Sequence, residues 1–250
     1  MQINGSNFSG ATQVSFNGVS ATYNVISSTT ISATVPFGAT TGLVSVTTPG
    51  GTATSPGNFT VTTPPVSIMV RVFIQGYYAG NSTMNAAVSS TTADNFILRL
   101  ASSSPPYGIA YSAAGTVDIN GYGTFTFFGP SIGSSWYLVL QQRNTLETWS
   151  SSPLTITGLS NNQYDFTTAA NKAFGNNMAH LGNGIYGIWS GDVNQDGLIE
   201  SSDYSVIEND LLNFLSGYYS SDLTGDNLVE SLDYSLIENN LLLFLFTIGP

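Results

Sequence analysis

The chain has 250 residues, no cysteine, 26 glycines and a formal net charge of −11, although only 8% of its residues are charged. It carries no basic patch, so nucleic acid has no electrostatic handle on it, and no apolar run reaches the roughly 18 residues of a membrane span. The charge is segregated. Residues 1–70 carry no charged side chain. Residues 1–191 balance Asp94, Asp118, Glu147 and Asp165 against Arg71, Arg99, Arg143 and Lys172. All the remaining acids lie between Asp192 and Glu238, with no base among them. Uncharged surfaces repel one another little, so residues 1–191 permit self-association; a surface simply hydrated by Ser, Thr and Asn is the alternative reading. The opening "MQINGSNFSG" has neither the basic nor the apolar region of a signal peptide, so an exported protein would be present here in processed or truncated form.

Residues 1–62 alternate in short period-2 runs ("TQVSFNG", "ATYNVIS", "TTISATVP", "GLVSVTTPGG", "GNFTVTT") broken by Gly, Pro and Asn-Gly. That pattern predicts a β-sandwich. From "INGSNFSGATQVSFNG" to "GNFTV" the segment resembles an IPT/TIG immunoglobulin-like domain. That family usually begins with a further strand ahead of "INGSNF", which this segment does not contain. The expectation is a sandwich with an open edge, since an unpaired strand presents bare N–H and C=O groups.

"TTPPVS" reads as a short stiff linker. A second β-sandwich is expected over 66–170, from "VSIMVRVFIQGYY", "NFILRLA", "GTVDINGYGTFTFFGP", "SWYLVLQQRN", "LTITGLS" and "YDFTTA". Two stretches, "VFIQGYYAGNSTMN" and the run beginning "WYLVLQQRNTLETWSSS", resemble modules near the C-termini of secreted Bacteroidota proteins. That resemblance implies an extracellular, bacterial-surface location. Residues 171–190 form a connection, expected to be packed by Phe174, Ile185, Tyr186 and Trp189.

The tail, 191–250, is duplicated. Residues 191–215 and 221–245 share fifteen of twenty-five positions at an offset of thirty. Each copy is an acidic loop followed by apolar residues at helical spacing: Val206, Ile207, Leu211, Leu212 and Leu215 in the first, Leu236, Ile237, Leu241, Leu242 and Leu245 in the second. The two stripes are expected to bury one another. The loops carry EF-hand spacing. Asp192, Asn194, Asp196, Leu198, Glu200 and Asp203 stand at positions 1, 3, 5, 7, 9 and 12; Asp222, Thr224, Asp226, Leu228, Glu230 and Asp233 repeat the set. Leu198 and Leu228 would contribute backbone carbonyls, and Glu200 and Glu230 would act directly or through water. Oxygen donors at this spacing suit two Ca²⁺ ions, and magnesium less well, because it resists losing its waters. Position 6 requires a sharp turn, which Gly197 and Asn227 allow. Position 12 is Asp where an EF-hand has Glu. The pair resembles a type I dockerin, and the resemblance implies calcium-dependent folding and docking. The basic helix residues through which dockerins often engage a cohesin have no counterpart here.

Catalysis has little to draw on. His180 is the single histidine and no nucleophile elbow accompanies it. Arg143 and Glu147 read as a salt bridge or a sugar-facing rim, since one Glu is not a glycosidase pair. Tyr77, Tyr78, Tyr107, Trp136 and Trp149 could stack sugars or fill a core. Sequons at Asn4, Asn7, Asn58 and Asn81 could carry glycans. The expected protein is mainly β, with two Ig-like β-sandwiches ahead of a small dockerin-like helical module, and is not an enzyme. Its expected role is a structural subunit of an extracellular calcium-stabilised bacterial surface assembly, with a homopolymeric filament as one form and a neighbouring surface protein as the other partner. The alternative is a dockerin-bearing adhesin or carbohydrate-binding fragment tethered to a larger complex.

Overall fold

A computed structural model describes residues 1–36, 39–62 and 64–250. Thr63, within the expected linker, lies outside the described residues, as do residues 37 and 38 of the first unit. The chain forms two compact units, Met1–Thr63 and Pro64–Pro250.

The first unit packs two antiparallel sheets. One orders the strands Gln2–Asn4, Thr30–Ala33 and Tyr23–Ser27; the other orders Val19–Ser20, Gln13–Phe16, Val44–Thr48 and Gly51–Thr54. Alternation sends one face of each strand inward. Val14 opposes Val46 and Phe16 opposes Val44, and with Phe8, Ile31 and Ala33 these form an apolar core. Gln2–Asn4 ends one sheet and Gly51–Thr54 ends the other, and every residue of Gly51–Thr54 is exposed. Near these two edges lies a groove of about 300 Å³. Its lining includes Ile3, Phe8, Val44, Val46 and Ala53, so the opening reaches the core.

The second unit is built on eight strands. Thr148–Trp149, Ser135–Gln141, Thr92–Ser102 and Ile109–Asp118 follow one another across one half, with Leu154–Thr155 also paired to Ser135–Gln141. Tyr122–Phe127, Val66–Arg71 and the parallel strand Asn162–Asp165 form the other half. Between the halves the pairing narrows to one residue pair, Val117 with Gly123. Both halves can therefore turn their apolar faces onto one core, where Ile68, Val70 and Phe125 meet Leu98, Leu100, Leu138 and Leu140.

Residues 171–190 carry a short hairpin, Ala179–Gly182 with Ile185–Gly187. Ile185 and Tyr186 pack on the β core, Phe174 stacks edge-on against Tyr137, and Trp189 joins the helical core.

Helices α1 (Ser201–Leu212) and α2 (Ser231–Leu241) follow the two acidic loops. Their core differs from mutual burial of two stripes. Ile207 and Ile237 are fully buried, but they share the interior with loop residues Val193, Ile199, Leu223 and Val229 and with Leu146 from the β body. Val206, Leu212 and Leu242, expected to be inward, are exposed, while Leu241 and Leu245 beside Leu242 pack on that core, so the buried stripe is narrower than the periodicity implied.

Candidate calcium centre

The two loops are closed by their own carboxylates. Asp192 Oδ1 accepts the Asp196 N–H at 3.1 Å and Oδ2 accepts the Gly197 N–H at 3.1 Å. Asp222 repeats this: Oδ1 accepts Gly225 and Asp226, and Oδ2 accepts Asn227 at 3.1 Å. Position 6 is left-handed in both, with φ of 87° at Gly197 and 67° at Asn227. Position 4 is left-handed too, at Gln195 and Gly225, which the ligand spacing did not signal.

Position 12 starts the helix as well as ending the loop. Asp203 Oδ2 accepts the Glu200 N–H at 3.0 Å, while the Glu200 side chain accepts the Asp203 N–H, a reciprocal capping box. Asp203 Oδ1 reaches back to the amides of Val193 at 2.9 Å and Asn194 at 3.1 Å. Asp233 does the same with Glu230 and Thr224. The short aspartate fits this double duty: it caps its own helix and draws the start of its loop onto it.

The other predicted ligands are placed less uniformly. Asp196 and Asp226 accept the Leu198 and Leu228 amides, and the Asn194 amide donates to Asp196 and Ser202. Thr224 donates to Asp222. Leu198 and Leu228 have exposed side chains, and Glu200 is exposed while Glu230 is half-buried. Among the described residues no three Asp, Glu, His or Cys side chains converge as a metal-binding group by themselves. The loop carboxylates face amides, and the predicted set also needs neutral oxygens.

Electrostatics test whether a hard cation fits. Burial, then the charge of Asp203, pushes the Asp192 carboxyl up to about 7. Burial also raises Asp203, Asp222 and Asp233, and Arg143 opposes the rise at Asp222. Buried carboxylates held in an oxygen-only shell are ionised at a cost, and a divalent cation would relieve it. The residues therefore fit calcium, which when bound supplies the positive charge that the first loop lacks. The sign of the pH dependence follows. A folded pKa above the unfolded value means that stability is greatest below the unfolded pKa and falls as pH rises through about 7. Without calcium, the helical signal of the tail is expected to resist denaturant better at pH 5 than at pH 8. With calcium the order should reverse, because protons then compete with the ion. Melts at the two pH values, each with calcium or chelator, check both signs.

Residues 190–242 match the dockerin type I domain. Residues 1–62 match the IPT/TIG domain, and no curated protein matches the chain. Type I dockerin domains bind calcium.

The dockerin module closes on itself. The Val229 N–H of the second loop donates to the Leu215 carbonyl after α1, and the Ile199 N–H of the first donates to the Leu245 carbonyl after α2. Each loop is thus held by the segment that follows the other helix, and Tyr204 and Tyr234 meet ring to ring between α1 and α2.

The dockerin module is also seated on the β body. Gln75 and Asn240 exchange amide hydrogen bonds at 3.1 and 2.7 Å, and Asn240 donates to the Ser190 carbonyl. Asn144 donates to the Asp222 carbonyl at 2.7 Å, and Asn85 donates to the Thr224 carbonyl at 2.8 Å. Arg143 pairs with Asp94 at 3.0 Å and with Asp222 at 3.4 Å, and Tyr77 donates to Asp94. Residue-by-residue reading missed this cluster. Its one signal in the sequence is Asp94, one of four acids in residues 1–191, and the structure buries it fully.

The remaining candidates resolve individually. Arg143 and Glu147 are not partners: Glu147 pairs with Arg99 at 3.0 Å and accepts from Trp149. Tyr77 is fully buried, and Tyr78, Tyr107, Trp136 and Trp149 are half-buried. His180 is exposed and lies against the Tyr186 ring. The four sequon asparagines are all exposed.

Proposed function

We propose that this chain is a non-enzymatic structural subunit of an extracellular, calcium-stabilised bacterial surface assembly, in which copies join into a filament. The reading is carried by the first unit's unblocked edge. Gly51–Thr54 is fully exposed at the end of its sheet, and the apolar-floored groove lies beside it. Natural edge strands are usually blunted by Lys, Pro or inward charge. No charged residue occurs in residues 1–70 to do so. An extended segment of a neighbouring copy can add there by backbone pairing. Such a contact is heterologous, and a heterologous contact propagates unless its rotation closes a ring. Calcium holds the dockerin module, with two ions bound by Asp192, Asn194, Asp196 and Asp203 and by Asp222, Thr224, Asp226 and Asp233. The exposed sequons fit glycan decoration of such a surface.

A second reading has its own observation. Phe214 and Phe244, related by the repeat, are 88% and 85% exposed beside Leu212 and Leu242. Apolar residues so placed on a dockerin module suit docking to another protein, which would make the chain a tethered adhesin or carbohydrate-binding fragment.

Electron microscopy of the calcium-loaded protein separates the two. Filaments are expected, with loss of order in chelator and in the Asp203→Ala, Asp233→Ala double variant. Monodisperse particles with calcium would discard the filament. Filaments that survive both treatments would remove calcium from their assembly.

A further inference from the structure

The two loops repeat one another in sequence but not in electrostatic setting. The Arg143 side chain is 13% exposed and faces two carboxylates that are fully buried. Its Nε donates to Asp94 Oδ2, and its Nη2 donates to Tyr77 Oη at 2.5 Å and to Asp222 Oδ2 at 3.4 Å. The guanidinium lies 4.2 Å from the centre of the Tyr218 ring, which fixes it from the other side. Position 1 of the second loop therefore has a cation beside it, supplied by the β body and shared with Asp94.

Among the described residues the first loop has no such neighbour. The cleft beside Asp192 and Asp196 is lined by Gln141, Glu147, Gln195, Gly197 and Thr247, which adds an acid and no base. The charge of Glu147 is already matched by Arg99. Among the described residues the body holds this loop by neutral bonds: Gln195 donates to the Thr145 carbonyl at 3.2 Å and accepts from Gln141 at 3.2 Å, and Gly191 donates to the Asn144 carbonyl at 2.7 Å.

We propose that Arg143 is the resident counter-charge of the second loop. It keeps Asp222 positioned and the loop seated on the β body before calcium arrives, so the first loop loses more stability than the second when the ion is absent. This deepens the calcium reading of both loops and rests on it. The physical grounds are those of any partly buried ion pair. Removing one partner leaves the other charged and desolvated, whereas keeping both fixes the geometry. Close packing reinforces the arrangement. A Cβ at Gly225 would come within 2.6 Å of the Tyr77 ring, so that turn already lies against the residue to which Arg143 is bonded. Arg143 also repels an incoming cation, and Asp94, paired with it at 3.0 Å, offsets part of that charge. The second site should therefore bind calcium more weakly than the first, by up to about tenfold, the effect of one nearby screened charge.

Hydrogen exchange on the full chain, in calcium and in chelator, tests this through the amides of residues 192–203 and 222–233. In the wild type, chelator is expected to speed exchange in the first loop at least about tenfold and to leave the second nearly unchanged. Arg143→Gln combined with Asp94→Asn removes the opposed body charges together. In that variant both loops should open in chelator and both should close again in calcium. Equal opening of the two loops in the wild type would overturn the proposal and leave the calcium reading standing, as would a second loop that stays closed in the variant. No response of either wild-type loop to calcium would overturn both. Protection of the strand Thr92–Ser102 reports whether the variant's β body is folded. If it is not, the wild-type comparison of the two loops decides alone.

Discussion

Asp203→Ala is expected to destabilise the tail by about 3 kcal/mol or more, and Asp233→Ala, which frees two amides rather than three, by less. Asp203 is fully buried, and its two oxygens take three backbone amides, those of Val193, Asn194 and Glu200. Each buried N–H left without a partner costs roughly 1–3 kcal/mol, and loss of the capping box adds about 1 kcal/mol. Water can enter part of the space and recover some of that, so the estimate stays below the simple sum. The amide contribution is present without calcium, and loss of a proposed ligand adds to it when the ion is bound. Denaturant melts followed by helical ellipticity, in chelator, read it directly. Asp203→Asn is the control. It keeps one carbonyl acceptor and loses the charge, so it should fall between the wild type and alanine. An alanine variant as stable as the wild type would show that these amides find other partners.

Gly76→Ala should detach the module from the β body. Gly76 donates its N–H to the Ser190 hydroxyl at 3.1 Å, and a Cβ built on it would lie 2.0 Å from the Leu223 carbonyl oxygen. That oxygen is backbone of the second loop and cannot rotate away as a side chain would. The methyl must push the loop off, which strains the Asn144 and Arg143 contacts to Asp222 together. Overpacking of this kind costs about 1–3 kcal/mol, and the upper end is expected because the obstacle is main chain. Limited proteolysis should then cut between Gly187 and Asp192 while the strands of the second unit stay protected. Gly184→Ala is a useful comparison: no atom lies within 4 Å of its Cβ position, so only its positive φ is strained. Proteolysis of Gly76→Ala indistinguishable from the wild type would show that the contact is not needed for seating.

The tail was the most legible part of the chain. Its duplication, the spacing of its oxygen donors and the left-handed turns at Gly197 and Asn227 all follow from local sequence, because a loop of a dozen residues folds on its own neighbours. The alternating strands of the first unit were legible for the same reason. What lay hidden is long-range. Arg143 reads locally as a partner for Glu147 four residues on, yet its carboxylates are Asp94 and Asp222, brought in by sheet pairing and by docking of the module. The strand Ile109–Asp118 went partly unseen because its first half, "IAYSAAG", alternates small and exposed residues with little hydrophobic contrast. Val206, Leu212 and Leu242 fit the helical period but lie outside the buried stripe, whereas Leu241 and Leu245 pack on the core. Periodicity gives a face and not how wide a strip of it a partner covers.

A calorimetric titration of calcium into the metal-free protein tests the central claim most directly. Two binding events are expected, the second weaker, with one lost in Asp192→Ala and the other in Asp222→Ala. Absence of calcium binding by the folded wild type, or binding that survives the combined substitutions, would contradict the account.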